Sequence, residues 1–213
     1  MPLERLVRPS NAPAGESWLL VLLHGLGSDE RDMFSLGSQL DDRFTIASLR
    51  APIPYEIGGY AWFGLGWDER GMRYDAGQAQ ESLSKLRAEV ASLRSEFEVI
   101  SERVVIGGFS QGAIMSLALL LNDPASVGGA VLMSGAVLPE LTPGGTDLRP
   151  ETPILIQHGL YDEVLPVQLG RGVRDLLQAL GYAPDYREYP MAHEVSFQSL
   201  ADIRGWLSEG IRG

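Results

Sequence analysis

Apolar residues along the chain follow two alternating rhythms. Short runs rich in Val, Ile and Leu recur at Trp18–Leu23, Phe44–Leu49, 104–107, 130–133 and 154–157, with a more polar sixth at Asp185–Tyr189. Each is about strand length, and all but the last are continuous instead of alternating, the mark of strands covered on both faces. Between them the spacing changes to threes and fours. Leu83, Leu86, Val90, Leu93 and Phe97 fall on one helical face, with Lys85, Arg87, Glu89 and Arg94 filling the remainder. Val173, Leu176, Leu177 and Leu180 repeat the pattern and stop at Gly181, a residue suited to a helix C-terminus. Further helical stretches run over about 29–40, 111–121 and 196–207. Strands alternating with helices predict the α/β class: one domain spanning 1–213, a mostly parallel sheet with helices on both faces. No Ser/Gly/Pro-rich linker and no internal repeat divides it.

Two segments, about 50–74 and 136–152, are longer than ordinary connections and are expected to be binding loops or lids. The first holds Tyr55, Tyr60, Trp62, Phe63, Trp67 and Tyr74, too aromatic for a disordered linker. The chain has 213 residues, enough for one sizeable core, and a net charge of −11. That field repels phosphate backbones and anionic headgroups, so nucleic acid is not an expected partner. The apolar run Trp18–Leu23 is broken at once by His24 and Gly25, too short for a signal-peptide core or a membrane span. No stable membrane insertion is expected, and the cytoplasm is the expected location. There is no cysteine, which removes disulfides, thiolate nucleophiles and cysteine zinc sites, and there are only three histidines: His24, His158 and His193.

Chemistry enters at Gly108-Phe109-Ser110-Gln111-Gly112, which follows the apolar strand Val104-Val105-Ile106 and precedes the helical run from Ala113 to Leu119. G-x-S-x-G between strand and helix is the nucleophile elbow: a turn so tight that its serine is strained and its flanks must be glycine. A serine hydroxyl needs a base to take its proton and a carboxylate to orient that base. In this arrangement the order along the chain is Ser, acid, His, which excludes His24. The strand at 154–157 ends in His158-Gly159-Leu160-Tyr161-Asp162, placing an acid beyond a strand end. His158 precedes that acid, so the base is His193. Glu194 adjoins the histidine and is badly placed to bond its ring, whereas Asp162 and Glu163 both remain open on geometry. The oxyanion needs donors, and the elbow arrangement supplies them from backbone N–H groups of the residue after the nucleophile, Gln111, and of the loop after the first long strand, Leu26. His24 with Asp29 and Asp32 is too loosely spaced for a metal site, so no metal and no other cofactor is expected.

These residues carry a family resemblance. Leu23-His24-Gly25-Leu26-Gly27-Ser28-Asp29, the Gly-Phe-Ser-Gln-Gly elbow, His158-Gly159 with Asp162 and Pro166, and His193 ahead of Asp202-Ile203-Arg204-Gly205-Trp206-Leu207 resemble the phospholipase/carboxylesterase family of α/β-hydrolases, over nearly the full length. That family includes acyl-protein thioesterases and small bacterial carboxylesterases. The resemblance implies Ser110 as nucleophile, Asp162 rather than Glu163 as acid, His193 as base, and Leu26 and Gln111 at the oxyanion positions. The chain departs from the family at Gly112-Ala113-Ile114, where Gly-Gly-Ala is frequent, and at Ala192-His193, where Gly-His is common. The stretch from Tyr60-Ala61-Trp62-Phe63 to Arg73-Tyr74-Asp75 is more similar to the bacterial esterase branch than to the depalmitoylating one. The expected substrate is a small-molecule acyl ester of short to medium chain, with Trp62, Phe63, Leu65, Val164 and Leu165 expected at the pocket. The rival readings are an acyl (protein) thioesterase or lysophospholipase using the same machinery, and a catalytically silent binding protein on the same fold.

Overall fold

The computed structural model describes residues 2–13, 15–69, 71–142 and 147–209. Among them the strands are β1 (Arg5–Arg8), β2 (Trp18–Leu23), β3 (Phe44–Leu49), β4 (Ile53–Pro54), β5 (Tyr60–Ala61), β6 (Leu65–Asp68), β7 (Gly71–Tyr74), β8 (Val104–Phe109), β9 (Gly129–Met133), β10 (Ile154–Gly159) and β11 (Asp185–Tyr189). The helices are α1 (Glu30–Gly37), α2 (Ala76–Glu96), α3 (Gln111–Asn122), α4 (Val167–Ala179) and α5 (Phe197–Glu209). One seven-stranded sheet runs β1-β3-β2-β8-β9-β10-β11, parallel throughout except for β1 against β3. Every predicted strand lies in it.

All six residues of β2 are buried because its two faces feed two cores. Leu19, Val21 and Leu23 meet α2, α3 and α4, whereas Leu20 and Leu22 meet α1 and α5. β11 closes one edge and is accordingly more polar and half-buried. The chain places β3 on one side of β2 and β8 on the other, so the loops after β2 and β8 flank a switch point, where open α/β sheets leave a crevice.

Three features depart from the sequence reading. β1 carries arginine at both ends, and its apolar content is too small to signal a strand. Glu89, assigned to the polar side of α2, is 3 % exposed, because Leu3 N–H and Arg5 Nη1 donate to its carboxylate from β1 and the residues before it, at 3.1 and 2.7 Å. The aromatic segment at 50–74, expected as an irregular loop, instead folds into two small antiparallel pairs, β4-β5 and β6-β7. In the other long segment a single 3-10 turn covers Pro139–Leu141, and residues 143–146 lie outside the described residues.

Two histidines at strand ends are fully buried and hold loops in place. His24 Nε2 accepts from Ala51 N–H at 3.0 Å, so Nδ1 carries the proton and donates to the Gly25 carbonyl at 2.7 Å. Both nitrogens are engaged, leaving none to bind a metal with Asp29 and Asp32. His158 donates from Nε2 to the Leu165 carbonyl at 2.7 Å, and its Nδ1 has no hydrogen-bond partner among the described residues. Burial holds both rings below the ordinary histidine value of 6.5, outweighing the nearby carboxylates.

Helix α3 lies in backbone contact with β2. A Cβ on Gly112 would fall 2.1 Å from the Leu23 carbonyl oxygen, so the backbones would have to separate. Gly112→Ala should cost about 2 kcal/mol and lower Tm by roughly 4–8 °C in calorimetry; an unchanged Tm contradicts this packing. The buried histidines set a second expectation. Because the unfolded chain binds protons at about pH 6.5 that the folded rings refuse, stability falls as pH drops through that value. The urea midpoint should therefore decrease as pH falls below about 6.5, with both rings titrating below that value by NMR. Either ring titrating at or above the ordinary histidine value contradicts it.

Candidate active site

Ser110 stands between β8 and α3 with φ 55° and ψ −117°, a left-handed backbone that costs a non-glycine residue about 1–3 kcal/mol. The surroundings enforce it. Ser110 N–H donates to the Met133 carbonyl of β9 at 2.9 Å, and its own carbonyl accepts from Ile114 N–H at 3.1 Å. A Cβ on Gly108 would fall 2.2 Å from the Gly112 carbonyl carbon. The serine therefore caps a turn that no side chain could occupy at either flank. Its hydroxyl sits at the N-terminus of a twelve-residue helix, where orphan N–H groups and the helix dipole favour negative charge.

His193 lies beyond β11 and Asp162 beyond β10, and the structure brings them together: His193 Nδ1 is 2.7 Å from Asp162 Oδ2. The other carboxylate oxygen, Oδ1, accepts from Val164 and Leu165 N–H at 3.0 and 2.8 Å. The acid is thus locked by its own loop while it faces the histidine. That loop is held in turn by His158, whose bond to Leu165 secures the residue that donates to Asp162. His158 Nε2 lies 3.5 Å from Asp162 Oδ2, so the buried carboxylate faces two imidazoles, of which only His193 reaches the cavity at Ser110. With Nδ1–H donating to the carboxylate, Nε2 of His193 holds the free lone pair. The Phe109 ring packs against the imidazole, centroids 4.7 Å apart.

The loop after β2 is fastened from both sides. Gly27 N–H donates to the Tyr60 carbonyl at 2.9 Å and Tyr60 N–H to the Ser28 carbonyl at 2.8 Å. Gly27 takes φ +78°, and a Cβ on Gly59 opposite would fall 2.1 Å from its carbonyl oxygen. Leu26 is thereby held beside Ser110 and Gln111. The Gln111 side chain has a separate task that its place in the motif did not reveal: Oε1 accepts from Trp62 N–H at 3.0 Å, and Nε2 donates to the Phe63 carbonyl at 2.8 Å. The Trp62 indole N–H donates to the His24 carbonyl at 3.0 Å. This buried network ties the loop after β2, the aromatic segment and the start of α3 into one rigid unit.

A cavity of about 190 Å3 opens at Ser110, lined by Leu26, Gln111 and His193, with Leu65, Ile114, Val164 and Leu165 as its apolar wall. Of the residues expected at the pocket, Leu65, Val164 and Leu165 line this cavity. Trp62 and Phe63 do not: both are fully buried in the core under α2, and neither lines the cavity. Aromatic composition alone does not separate a pocket wall from core packing. Ile114, in place of the smaller residue frequent in the family, lines the cavity. Among the described residues no group of three or more His, Asp or Glu side chains is placed to hold a metal ion. No described helix is long and apolar enough to cross a membrane.

Comparison with known proteins identifies the family and the fold. The sequence model of the phospholipase/carboxylesterase family matches residues 7–211. The chain is 31% identical to acyl-protein thioesterase 1 of Candida albicans, with 92% of each chain covered. It is 26% identical to acyl-protein thioesterase 1 of Kluyveromyces lactis over the full length of both. Among solved structures it superimposes on esterase PE8 with a TM-score of 0.84 at 26% identity, covering 98% of this chain and 99% of the other. The chain belongs to the phospholipase/carboxylesterase family of α/β-hydrolases.

Proposed function

We propose that the protein is a serine carboxylesterase of small acyl esters, working through an acyl-enzyme with Ser110 as nucleophile, His193 as base and Asp162 as orienting acid. The observation that carries this is the convergence of three separate loops: the strained Ser110 and His193 line one cavity, and His193 is bonded at 2.7 Å to an acid secured by its own backbone. His193 Nε2 takes the Ser110 proton as Oγ attacks the acyl carbon. The Leu26 and Gln111 N–H groups hold the oxyanion, and the same proton passes to the departing alcohol. Water, deprotonated by His193, then attacks the acyl carbon; the acyl–Oγ bond breaks, the proton passes from His193 to Ser110 Oγ, and the carboxylic acid leaves. Asp162 keeps the imidazole in the tautomer that both steps need. The cavity of about 190 Å3 is small beside the roughly 300–1,000 Å3 of ordinary ligand pockets, which favours short acyl chains.

A thioesterase is the second reading, and the names of the relatives from Candida albicans and Kluyveromyces lactis favour it. The same residues would act on a sulfur leaving group. Acyl-ester and acyl-thiol substrates of matched chain length, compared by kcat/KM, decide between the two.

Ser110→Ala should lower kcat for p-nitrophenyl butyrate by about four to six decades and abolish labelling by a fluorophosphonate probe. Near wild-type turnover by that variant would overturn the assignment, and failure of the wild-type protein to label would favour a silent binding role. Asp162→Asn should cost about four decades in kcat, because the amide supports the wrong imidazole tautomer; a loss under tenfold contradicts its role.

A further inference from the structure

Beside the Ser110 cavity lies a second, larger recess that the mechanism above leaves unused. It is a groove of about 630 Å3 between α1 and the segment leading into α5. Met33 and Leu36 form one wall, and Val195, Phe197 and Leu200 the other. Phe197 is 94% exposed, a large aromatic ring left in water at the groove's edge. Phe109 and His193 line both recesses and, packed against each other, form the partition between them.

That partition assigns the two sides. Leu26, Gln111 and Ser110 line only the smaller cavity, so the acyl carbon and its chain are held there. As the Ser110 Oγ–acyl bond forms, the bond from the acyl carbon to its oxygen or sulfur leaving atom breaks. The proton that His193 took from Oγ goes to that atom. The leaving group must therefore lie against the imidazole, and the second recess that His193 lines, on the other side of the Phe109–His193 pair, is this groove. Its chemistry is specific. An apolar strip of Met33, Leu36, Val195, Phe197 and Leu200 runs among the polar Ser35, Gln39 and Ser196, Asp32 and Glu194 are the acidic residues among its described lining, and the whole chain carries −11. A carboxylate- or phosphate-bearing leaving group meets like charge there, whereas an apolar neutral or cationic one meets complementary surface.

Resting on the hydrolase reading above, we propose that the α1–α5 groove is the leaving-group subsite and selects esters of apolar, uncharged or cationic alcohols and thiols over anionic ones. The test holds the acyl group constant as butyrate and varies only the alcohol, so that changes in deacylation cancel in the ratios. Hexyl butyrate should exceed methyl butyrate in kcat/KM by roughly tenfold, from the methylenes laid along the apolar strip. Phe197→Ser, at a fully exposed site that folding does not need, should lower that ratio by about threefold or more. Butyrylcholine and its uncharged carbon isostere should both exceed the butyryl ester of glycolate, and the Asp32→Asn, Glu194→Gln double variant should narrow that gap severalfold. A hexyl-to-methyl ratio near one, or ratios unmoved by both variants, overturns the groove's role while turnover itself upholds the hydrolase. No turnover of any of these esters by the wild-type protein, with Ser110 unlabelled by fluorophosphonate, overturns both.

Discussion

The close approach of backbone to backbone at the turn from β8 into α3 is the constraint on which the rest of the site depends. Gly112 lies where a Cβ would collide with the Leu23 carbonyl of β2, and Gly108 where one would collide with Gly112. Two missing side chains let the helix start directly over the sheet, and the cost appears as the strained φ of Ser110. Several kilocalories of packing in the two cores on either side of β2 hold that strain in place. What results is a hydroxyl fixed beside orphan helix N–H groups and the loop that bears Leu26, before any substrate arrives. Preorganisation of this kind is the main source of transition-state stabilisation in acyl transfer.

The three histidines show how environment divides one residue type among different tasks. His24 and His158 are fully buried, spend their ring nitrogens or face apolar surroundings, and are held neutral by desolvation. They act as struts, one under the loop after β2 and one behind the loop that bears Asp162. His193 alone lines the recesses on both sides of Phe109, with its Nδ1 committed to Asp162. The same carboxylate lies within 3.5 Å of His158, yet the Leu165 carbonyl takes that ring's proton more closely. The short bond to Asp162 is thereby kept for the histidine that shares a cavity with Ser110.

Much of this was legible in the sequence because it is local. Continuous apolar runs gave the strands of the parallel sheet, and the elbow glycines, the order of Ser, acid and His, and the scarcity of histidine located the three loops. What was not legible depends on partners distant in the chain. Glu89 looks like a surface residue of α2 until Arg5 and Leu3 arrive to satisfy it. Trp62 and Phe63 look like a pocket wall until the Gln111 side chain draws their backbone into the core. β1 carries too little apolar surface to announce itself, and exists because β3 offers it an edge. The groove beside Phe109 is assembled from α1 and the approach to α5, about 160 residues apart in sequence, and no spacing rule connects them.

In the proposed mechanism Ser110 carries the acyl group between two half-reactions. Rapid mixing with excess p-nitrophenyl butyrate followed by quenching and peptide mass spectrometry tests it most directly. A burst of nitrophenol approaching one equivalent per chain is expected, or with acylation rate-limiting a transient adduct raised by cold acid quench, and a butyryl group on the peptide bearing Ser110. A butyryl group on any other residue, or steady turnover with Ser110 never acylated under either quench, would contradict it.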